Sequence, residues 1–262
     1  MSHKAPCTIV TAYFKLKISK ASHETYLKWM QNMLINSNPM IIFCDTVSKS
    51  YIESIRKMVD PELVRTRIII TEVSEFYSYK YGEKFVEHFA MDTEKRVGHN
   101  IILYMIWAEK SHFLKRAIEL DPFESEYFLW SDIGCFRREN TEFRNWPNPS
   151  RIATLPKDKV LLLSVIPFTP SELACKTLDD LPSFQFQNRI GAPIFGGTKE
   201  VLLQWHDKYY EMLEYFISID RFIGKDQSIM NSVYLMNREF CELITWKEGC
   251  ADPWFYLQDY LA

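Results

Sequence analysis

The first half of the chain alternates short apolar runs with amphipathic stretches. The runs 8–12, 40–44 and 67–71 are rich in β-branched and apolar residues, which predicts buried strands. Between the first two runs, Ser22 is typical of a helix N-cap, and apolar residues then recur at helical spacing as far as residue 34. Ser48 is placed to cap a second helix. This strand–helix–strand rhythm predicts an α/β fold with a mostly parallel, twisted sheet flanked by helices.

The second half predicts a long helix, two further strands and two more helices. These elements are a helix at 100–120, strands at 127–130 and 159–165, and helices at 198–216 and 225–235. The stretch 72–98 has no clear period and predicts loops and short helices, and the glycine-bracketed segment 191–197 predicts a loop. The chain contains no low-complexity linker and no repeat, so we predict a single domain over residues 1–262.

Composition supports a folded protein without a general affinity for polyanions. The chain is 47% hydrophobic, which is enough for a continuous core, and its net charge of −3 gives no drive toward nucleic acid. The N-terminus lacks the apolar core of a signal peptide, and no stretch approaches the ~20 apolar residues of a transmembrane segment. The six cysteines lack CxxC spacing, which favours reduced thiols over a zinc site. We therefore expect a cytoplasmic protein with no nucleic-acid partner and no transmembrane segment.

Asp132 follows the predicted strand 127–130 and is separated by one residue from Gly134. Ligands of open α/β sheets bind at the carboxyl ends of strands. Divalent metal ions such as Mn²⁺ or Mg²⁺ are commonly held by one or two carboxylates together with phosphate oxygens. Asp132 is therefore a candidate metal ligand and diphosphate anchor, with Gly134 leaving room for a phosphate. Taken alone, an aspartate after a strand is more often a turn former.

Other predicted strand and helix ends supply further candidates for donor binding. Asp45 is suited to bind a ribose or base, and equally to form an Asx turn. Thr11, Ala12 and Tyr13 close the first strand, where they either hold a nucleobase or pack against neighbours. Lys110, on the long predicted helix, either faces a diphosphate or lies on a solvated face.

The predicted helix at 225–235 begins with Asp226 and Gln227. Asp226 is a candidate base for an acceptor hydroxyl, although an acidic residue at a helix start is also favoured by the helix dipole alone. Gly196 and Gly197 would let a substrate approach the backbone of the predicted loop. The chain has neither a GxxxxGK[ST] nor a GxGxxG pattern, which excludes a P-loop and a Rossmann dinucleotide site.

These segments, taken in order, resemble the HtrL/YibB-like family. The residues that carry the resemblance are 8–14, 26–30, 41–45, 103–110, 127–137, 196–197 and 224–231. That family looks like nucleotide-diphospho-sugar transferases of the GT-A type, in which a DxD-type motif after a central strand binds the metal and the donor diphosphate. Asp132 matches the first acidic position of that motif, and Gly134 stands at the second.

The resemblance implies a single-domain, GT-A-like (Rossmann-like) fold and a glycosyltransferase of polysaccharide biosynthesis. Its donor would be a nucleoside-diphosphate sugar, UDP-linked, and its acceptor a glycan or lipid-linked saccharide. Asp226 would be catalytic, and Gln227 would lie beside it. The spacing does not distinguish inversion from retention. The alternative is a non-catalytic nucleotide- or glycan-binding protein that keeps the transferase fold, which Gly134 favours.

Overall fold

A computed structural model describes residues 4–138 and 141–262. The strands are β1 (Cys7–Tyr13), β2 (Met40–Cys44), β3 (Thr66–Ile70), β4 (Tyr127–Ser131), β5 (Val160–Ser164), β6 (Ile190–Thr198) and β7 (Cys241–Thr245). The α-helices are α1 (His23–Leu34), α2 (Lys49–Arg56), α3 (Gly82–Phe89), α4 (Ile101–Leu120), α5 (Pro149–Ile152), α6 (Pro170–Leu173), α7 (Lys199–Ser218), α8 (Asp226–Met236) and α9 (Tyr256–Tyr260). Short 3₁₀ helices lie between several of these elements.

The described strands form one seven-stranded sheet in the order β3-β2-β1-β4-β6-β5-β7. All neighbouring pairs are parallel except those of β6, which runs antiparallel to both β4 and β5. From β1 the chain moves outward through β2 and β3, then returns to place β4 on the other side of β1. The strand order therefore reverses between β1 and β4. In open α/β sheets, this reversal marks the crevice where ligands bind, at the carboxyl ends of the strands.

Apolar side chains alternate between the two faces of the sheet and build a core on each. On β1 and β4, Val10 and Trp130 belong to one core, whereas their chain neighbours Ile9 and Leu129 belong to the other. The first core packs under α4, α7 and α8, and the second under α1, α2 and α9. This alternation is the period of two expected of a strand buried on both faces.

The predicted fold class is confirmed: the chain is a mixed α/β protein with a mostly parallel sheet flanked by helices. The assignment of residues 1–262 to one domain stays a prediction. The loop predicted at 191–197 is wrong, because these residues lie within β6. Strand β7 and the C-terminal helix α9 were not predicted. In the described part of the chain, no helix combines the length and apolar character needed to cross a membrane.

Candidate active site at the carboxyl edge of the sheet

Three charged residues from separate elements meet where the strand order reverses. Lys110 extends from α4, Asp132 follows β4, and Asp226 is the first residue of α8. The Lys110 ammonium lies 3.0 Å from Asp132 Oδ1 and 2.9 Å from Asp226 Oδ2. It also donates a hydrogen bond to the carbonyl of Ala192 on β6, at 3.2 Å. We call Lys110, Asp132 and Asp226 the ion triad.

The members of the ion triad differ in their access to solvent. The side chains of Lys110 and Asp226 are 5% and 3% exposed, whereas that of Asp132 is 34% exposed. The indole Nε1 of Trp130 donates a 2.7 Å hydrogen bond to Asp132 Oδ1, which fixes the carboxylate from the strand side. Asp132 is therefore the member of the triad that a ligand can reach.

The ion triad carries two carboxylates and one ammonium, so an excess negative charge remains when all three are ionised. Burial by itself would lower the pKa of Lys110, but the Asp132 and Asp226 carboxylates raise it well above its usual range. Lys110 thus stays charged. Burial raises the pKa of Asp132, Lys110 opposes that rise, and Asp226 adds to it. The exposed third of the Asp132 side chain moderates the effect of burial. Asp132 is consequently a stronger base than an ordinary aspartate.

Asp226 was predicted to be a base for the acceptor hydroxyl, and the structure shows its carboxylate enclosed. Its Oδ1 accepts a hydrogen bond from the N–H of Gln227 at 2.9 Å, and its Oδ2 faces Lys110. Ser111 and Tyr209 join it around a cavity of about 10 Å³, which has room for about one water molecule and none for a sugar. The carboxylate holds Lys110 in this structure, and a role for Asp226 toward an acceptor stays a prediction. Gln227, half-buried beside it, takes part through its backbone.

The turn that follows Asp132 is held from several sides. The Asp132 N–H donates to the carbonyl of Pro193 at 2.7 Å, and the N–H of Cys135 donates to the carbonyl of Asp132 at 3.0 Å. From α1, the Asn32 amide donates to the carbonyl of Phe136 at 2.9 Å. From α9, the Gln258 amide donates to the carbonyl of Cys135 at 3.0 Å. The turn is therefore a fixed part of the site.

The residues predicted to hold the nucleoside are less available than expected. Thr11 is fully buried, with its hydroxyl 3.9 Å from the sulfur of Met33, and Ala12 belongs to the core under α4. Both side chains are covered, so the structure gives no support to a contact between them and a ligand. Both residues lie within β1, where successive side chains point to opposite faces of the sheet. Helices cover both faces, so a side chain on either face is buried.

Tyr13 and Asp45 do lie at the carboxyl edge, but both have partners. The Tyr13 hydroxyl is 2.9 Å from His23 Nδ1. Asp45 accepts the N–H groups of Lys15 at 2.6 Å and of Ser48 at 2.7 Å, one on each carboxylate oxygen. These contacts match the Asx turn that was the alternative to ligand binding for Asp45. Ser48 itself makes no side-chain cap for α2, because its backbone is already helical.

Close packing explains two of the glycines. A Cβ on Gly134 would lie 2.9 Å from a ring carbon of Tyr26 and 3.6 Å from one of Trp29. A Cβ on Gly196 would lie 2.6 Å from the carbonyl oxygen of Phe128, because β4 and β6 pair there. Gly196 and its neighbour Gly197 are thus packing residues within the sheet, and the prediction that they form a substrate loop is wrong.

The residues around Asp132 do not fit a divalent metal site. Asp132 already accepts the indole N–H of Trp130 and pairs with the Lys110 ammonium. At Gly134, where a second carboxylate would stand, the Tyr26 ring occupies the space. The described residues therefore place an ammonium between two carboxylates, one of them enclosed, where an ion would need further accessible oxygen ligands.

A different cluster can hold a metal ion. Among the described residues, Asp92, Glu94 and His99 have ligand atoms within 4.8 Å of one another. Asp92 Oδ2 lies 2.8 Å from His99 Nδ1 and accepts the hydroxyl of Tyr104, while Glu94 pairs with the ammonium of Lys225. The structure thus shows a possible metal-binding cluster in which Lys225 already supplies positive charge. The sequence pattern did not reveal it, because its members have no recognised spacing.

Comparison with known proteins gives a family and no established activity. A family model described as "Bacterial protein of unknown function (HtrL_YibB)" matches residues 5–257. None of the curated proteins matches the chain. A similar solved structure is the crystal structure of 4-diphosphocytidyl-2C-methyl-D-erythritolsynthase from Anaerococcus prevotii DSM 20548. It has 11% sequence identity and a TM-score of 0.41 over 98% of this chain and 96% of that chain, a similarity too low to indicate function. Because the family model covers nearly the whole sequence, the chain belongs to the HtrL_YibB family.

Proposed function

We propose that the protein is a glycosyltransferase that moves a sugar from a UDP-linked donor to a glycan or lipid-linked saccharide. The observation that carries the proposal is the ion triad, which lies at the carboxyl edge of the sheet where the strand order reverses. Ligands of open α/β sheets bind at this place. Perturbed, partly buried charges in such a place are typical of functional sites.

The charge of the ion triad suits the reaction. In glycosyl transfer the bond between the anomeric carbon and the phosphate oxygen breaks, and its electron pair leaves with the nucleoside diphosphate. The sugar passes through an oxocarbenium-like state, as in glycoside hydrolysis, and an adjacent carboxylate stabilises its positive charge. The excess negative charge of the triad meets this requirement, and Asp132 is its exposed member.

The acceptor hydroxyl forms the new bond to the anomeric carbon and loses its proton. Asp132 takes that proton in this proposal, since its pKa is raised above that of an ordinary aspartate and its side chain is within reach of solvent. Lys110 holds the carboxylate in place, and Asp226 holds Lys110. No metal ion enters the proposal, because the groups around Asp132 do not fit one.

The nucleoside is proposed to lie over the ends of β1 and β2, beside Tyr13 and Asp45. These strands adjoin β4 in the order β2-β1-β4, so a diphosphate attached to a nucleoside there extends toward Asp132. Thr11 and Ala12 support this edge from within β1 and do not contact the ligand.

The test is a calorimetric titration with UDP and a hydrolysis screen of UDP-sugars, each with and without Mn²⁺. We expect the wild type to bind UDP and to release UDP from one donor. Asp132→Asn should keep UDP binding, because it removes a negative charge near the phosphates, and should lose activity by about 100-fold or more. The control is Asp158→Asn, an exposed aspartate before β5 at the opposite edge, which should match the wild type.

Two outcomes would contradict the proposal. If no nucleotide or nucleotide-sugar binds, the donor site is wrong. If UDP-sugars bind tightly but no donor is hydrolysed or transferred, the non-catalytic binding protein is the better description. The enclosed position of Asp226 is the structural feature that favours this second candidate, because it leaves Asp132 as the one exposed carboxylate of the triad.

A further inference from the structure

Arg137 is an exposed arginine whose guanidinium is held between two aromatic rings. Its central carbon lies 4.7 Å from the ring centre of Trp29 on α1 and 4.7 Å from that of Phe255, just before α9. Among the side chains that the structure describes, which do not include those of residues 139–142, Arg137 has no acidic partner and donates no hydrogen bond. Its neighbour Arg138 differs, because it pairs with Asp259 at 2.9 Å.

The position of Arg137 is tied to Asp132. Both belong to the turn that Asn32 and Gln258 hold through their amides. Between them, Gly134 packs against Tyr26 and Trp29, so the Trp29 ring that stacks on Arg137 also borders the turn after Asp132. Burial raises the pKa of the Tyr26 hydroxyl. The charge of Asp132 raises this pKa further and the charge of Arg137 lowers it, so both residues act on the same hydroxyl.

The charge balance of the site calls for an additional cation. The diphosphate of a nucleotide-sugar is an anion, and the ion triad that faces it carries excess negative charge. The Lys110 ammonium is shared between two carboxylates and is 5% exposed, so it is not free to neutralise the phosphates. Transferases with a second carboxylate would use a metal ion for this purpose, but Tyr26 fills that space at Gly134.

We infer that Arg137 binds the diphosphate of the donor and takes the place of the metal ion at this site; the inference rests on the proposed glycosyl transfer. Stacking on Trp29 and Phe255 fixes the guanidinium plane and leaves its edge N–H groups available. Arginine presents these donors in a planar fork that matches two phosphate oxygens. Because the side chain is already ordered, binding costs little conformational entropy.

The test measures the affinities of UDP, UMP and uridine by calorimetry in buffer that contains EDTA. Arg137→Gln should weaken UDP binding by about 10- to 100-fold, the range expected for charge-assisted hydrogen bonds, and UMP binding by less. Uridine binding should be unchanged. Arg137→Lys keeps the charge and loses the planar fork, so its UDP affinity should lie between those of the wild type and Arg137→Gln. The matched control is Arg138→Gln, which should bind all three ligands as the wild type does.

The result that would overturn this inference alone is a wild type that binds UDP in EDTA with the same affinity as Arg137→Gln. UDP binding that requires Mn²⁺ would also overturn it and would leave glycosyl transfer standing. A wild type that binds no nucleotide under either condition would overturn the proposed function as well. Thermal melting curves of the variants show whether each is folded, and the exposed position of Arg137 predicts that they are.

Discussion

Two buried cations lie at opposite edges of the same sheet, and they are satisfied in different ways. Arg56, at the end of α2, is completely buried. Its guanidinium donates to the hydroxyl of Thr66 at 3.0 Å, to the carbonyl of Leu34 at the end of α1 at 2.8 Å, and to carbonyls of the connection that follows. Lys110, at the carboxyl edge, instead faces two carboxylates.

The difference separates a structural charge from one that is proposed to be functional. The donors of Arg56 are used by neutral groups that cannot leave, so the network has no capacity for a ligand. Around Lys110, one carboxylate is a third exposed, and among the described contacts the buried Ser111 Oγ has no hydrogen-bond partner. Unsatisfied buried polar atoms of this kind are uncommon in folded proteins and call for an explanation. Here the atom lies beside the proposed reaction site.

The largest expected effect on stability is that of Arg56→Met. It leaves several buried carbonyls without a donor and should lower the free energy of unfolding by about 3 to 5 kcal/mol, as measured by urea denaturation. UDP affinity at a temperature where the variant is folded should not change. The control is Arg65→Met, an exposed arginine before β3, which should cost at most about 0.5 kcal/mol. An equal loss for both variants would remove the contrast between the two edges.

Lys110→Met should cost less stability and far more activity. It leaves Asp226 buried beside Asp132 without a cation, and we expect a loss of about 2 to 3 kcal/mol, reduced because Asp132 reaches solvent. UDP-sugar hydrolysis should fall below detection. Adding Asp226→Asn to this variant should recover part of the stability, because the uncompensated charge is removed, and should not recover activity. If activity returned with stability, Lys110 would be structural, as Arg56 is.

Glu109 provides a smaller, pH-dependent test, because it is a buried carboxylate held by backbone groups. It accepts the N–H groups of Tyr77 at 2.9 Å and Ser78 at 2.8 Å, and burial raises its pKa to about 7. Between the ordinary value of 4.5 and about 7, the folded protein holds a proton that the unfolded chain releases. Its contribution to stability is therefore complete below pH 4.5 and lost as the pH rises through about 7.

The comparison variant is Glu109→Gln, which cannot titrate. The wild type should lose stability relative to this variant between pH 5 and pH 8, in urea denaturation at both values. His112 also titrates in this region, because burial lowers its pKa to about 4. It is present in both proteins, so its effect cancels when their unfolding free energies are subtracted. A pH-independent difference would mean that Glu109 is ionised throughout.

The sequence predicts the first half of the fold closely because its periodicity is strong. The run 40–44 is strand β2, and the helix predicted at 100–120 is α4, Ile101–Leu120, with Asn100 as its cap. Ser22 caps α1 as predicted, since its hydroxyl accepts the N–H of Thr25. β7 escaped prediction because Cys241–Thr245 is a short, half-buried edge strand without an apolar run. β6 was not predicted because glycines are typical of loops. In this strand they are needed because β4 approaches closely.

For the site, the sequence indicates the residue types but not how they are arranged. Lys110, Asp132 and Asp226 each have an ordinary alternative when taken alone, and tertiary structure alone brings both carboxylates within 3.0 Å of the Lys110 ammonium. The sequence could not show that Asp226 is enclosed or that Thr11 is covered. No sequence pattern pointed to Arg137 as a binding residue, because its two aromatic neighbours come from distant parts of the chain.

The Tyr26 ring beside Gly134 also constrains how this protein can change through mutation. Installing aspartate at position 134 would recreate an acidic pair with Asp132, yet the new Cβ would lie 2.9 Å from that ring. Alanine at position 26 opens the space but removes the ring that packs against Trp29, which in turn stacks on Arg137. Each single substitution is therefore unfavourable, and only the pair offers a new carboxylate with room to bind an ion. The proposed metal-free site and a metal-dependent form are thus separated by an epistatic barrier, which evolution or a designer must cross in two coupled steps.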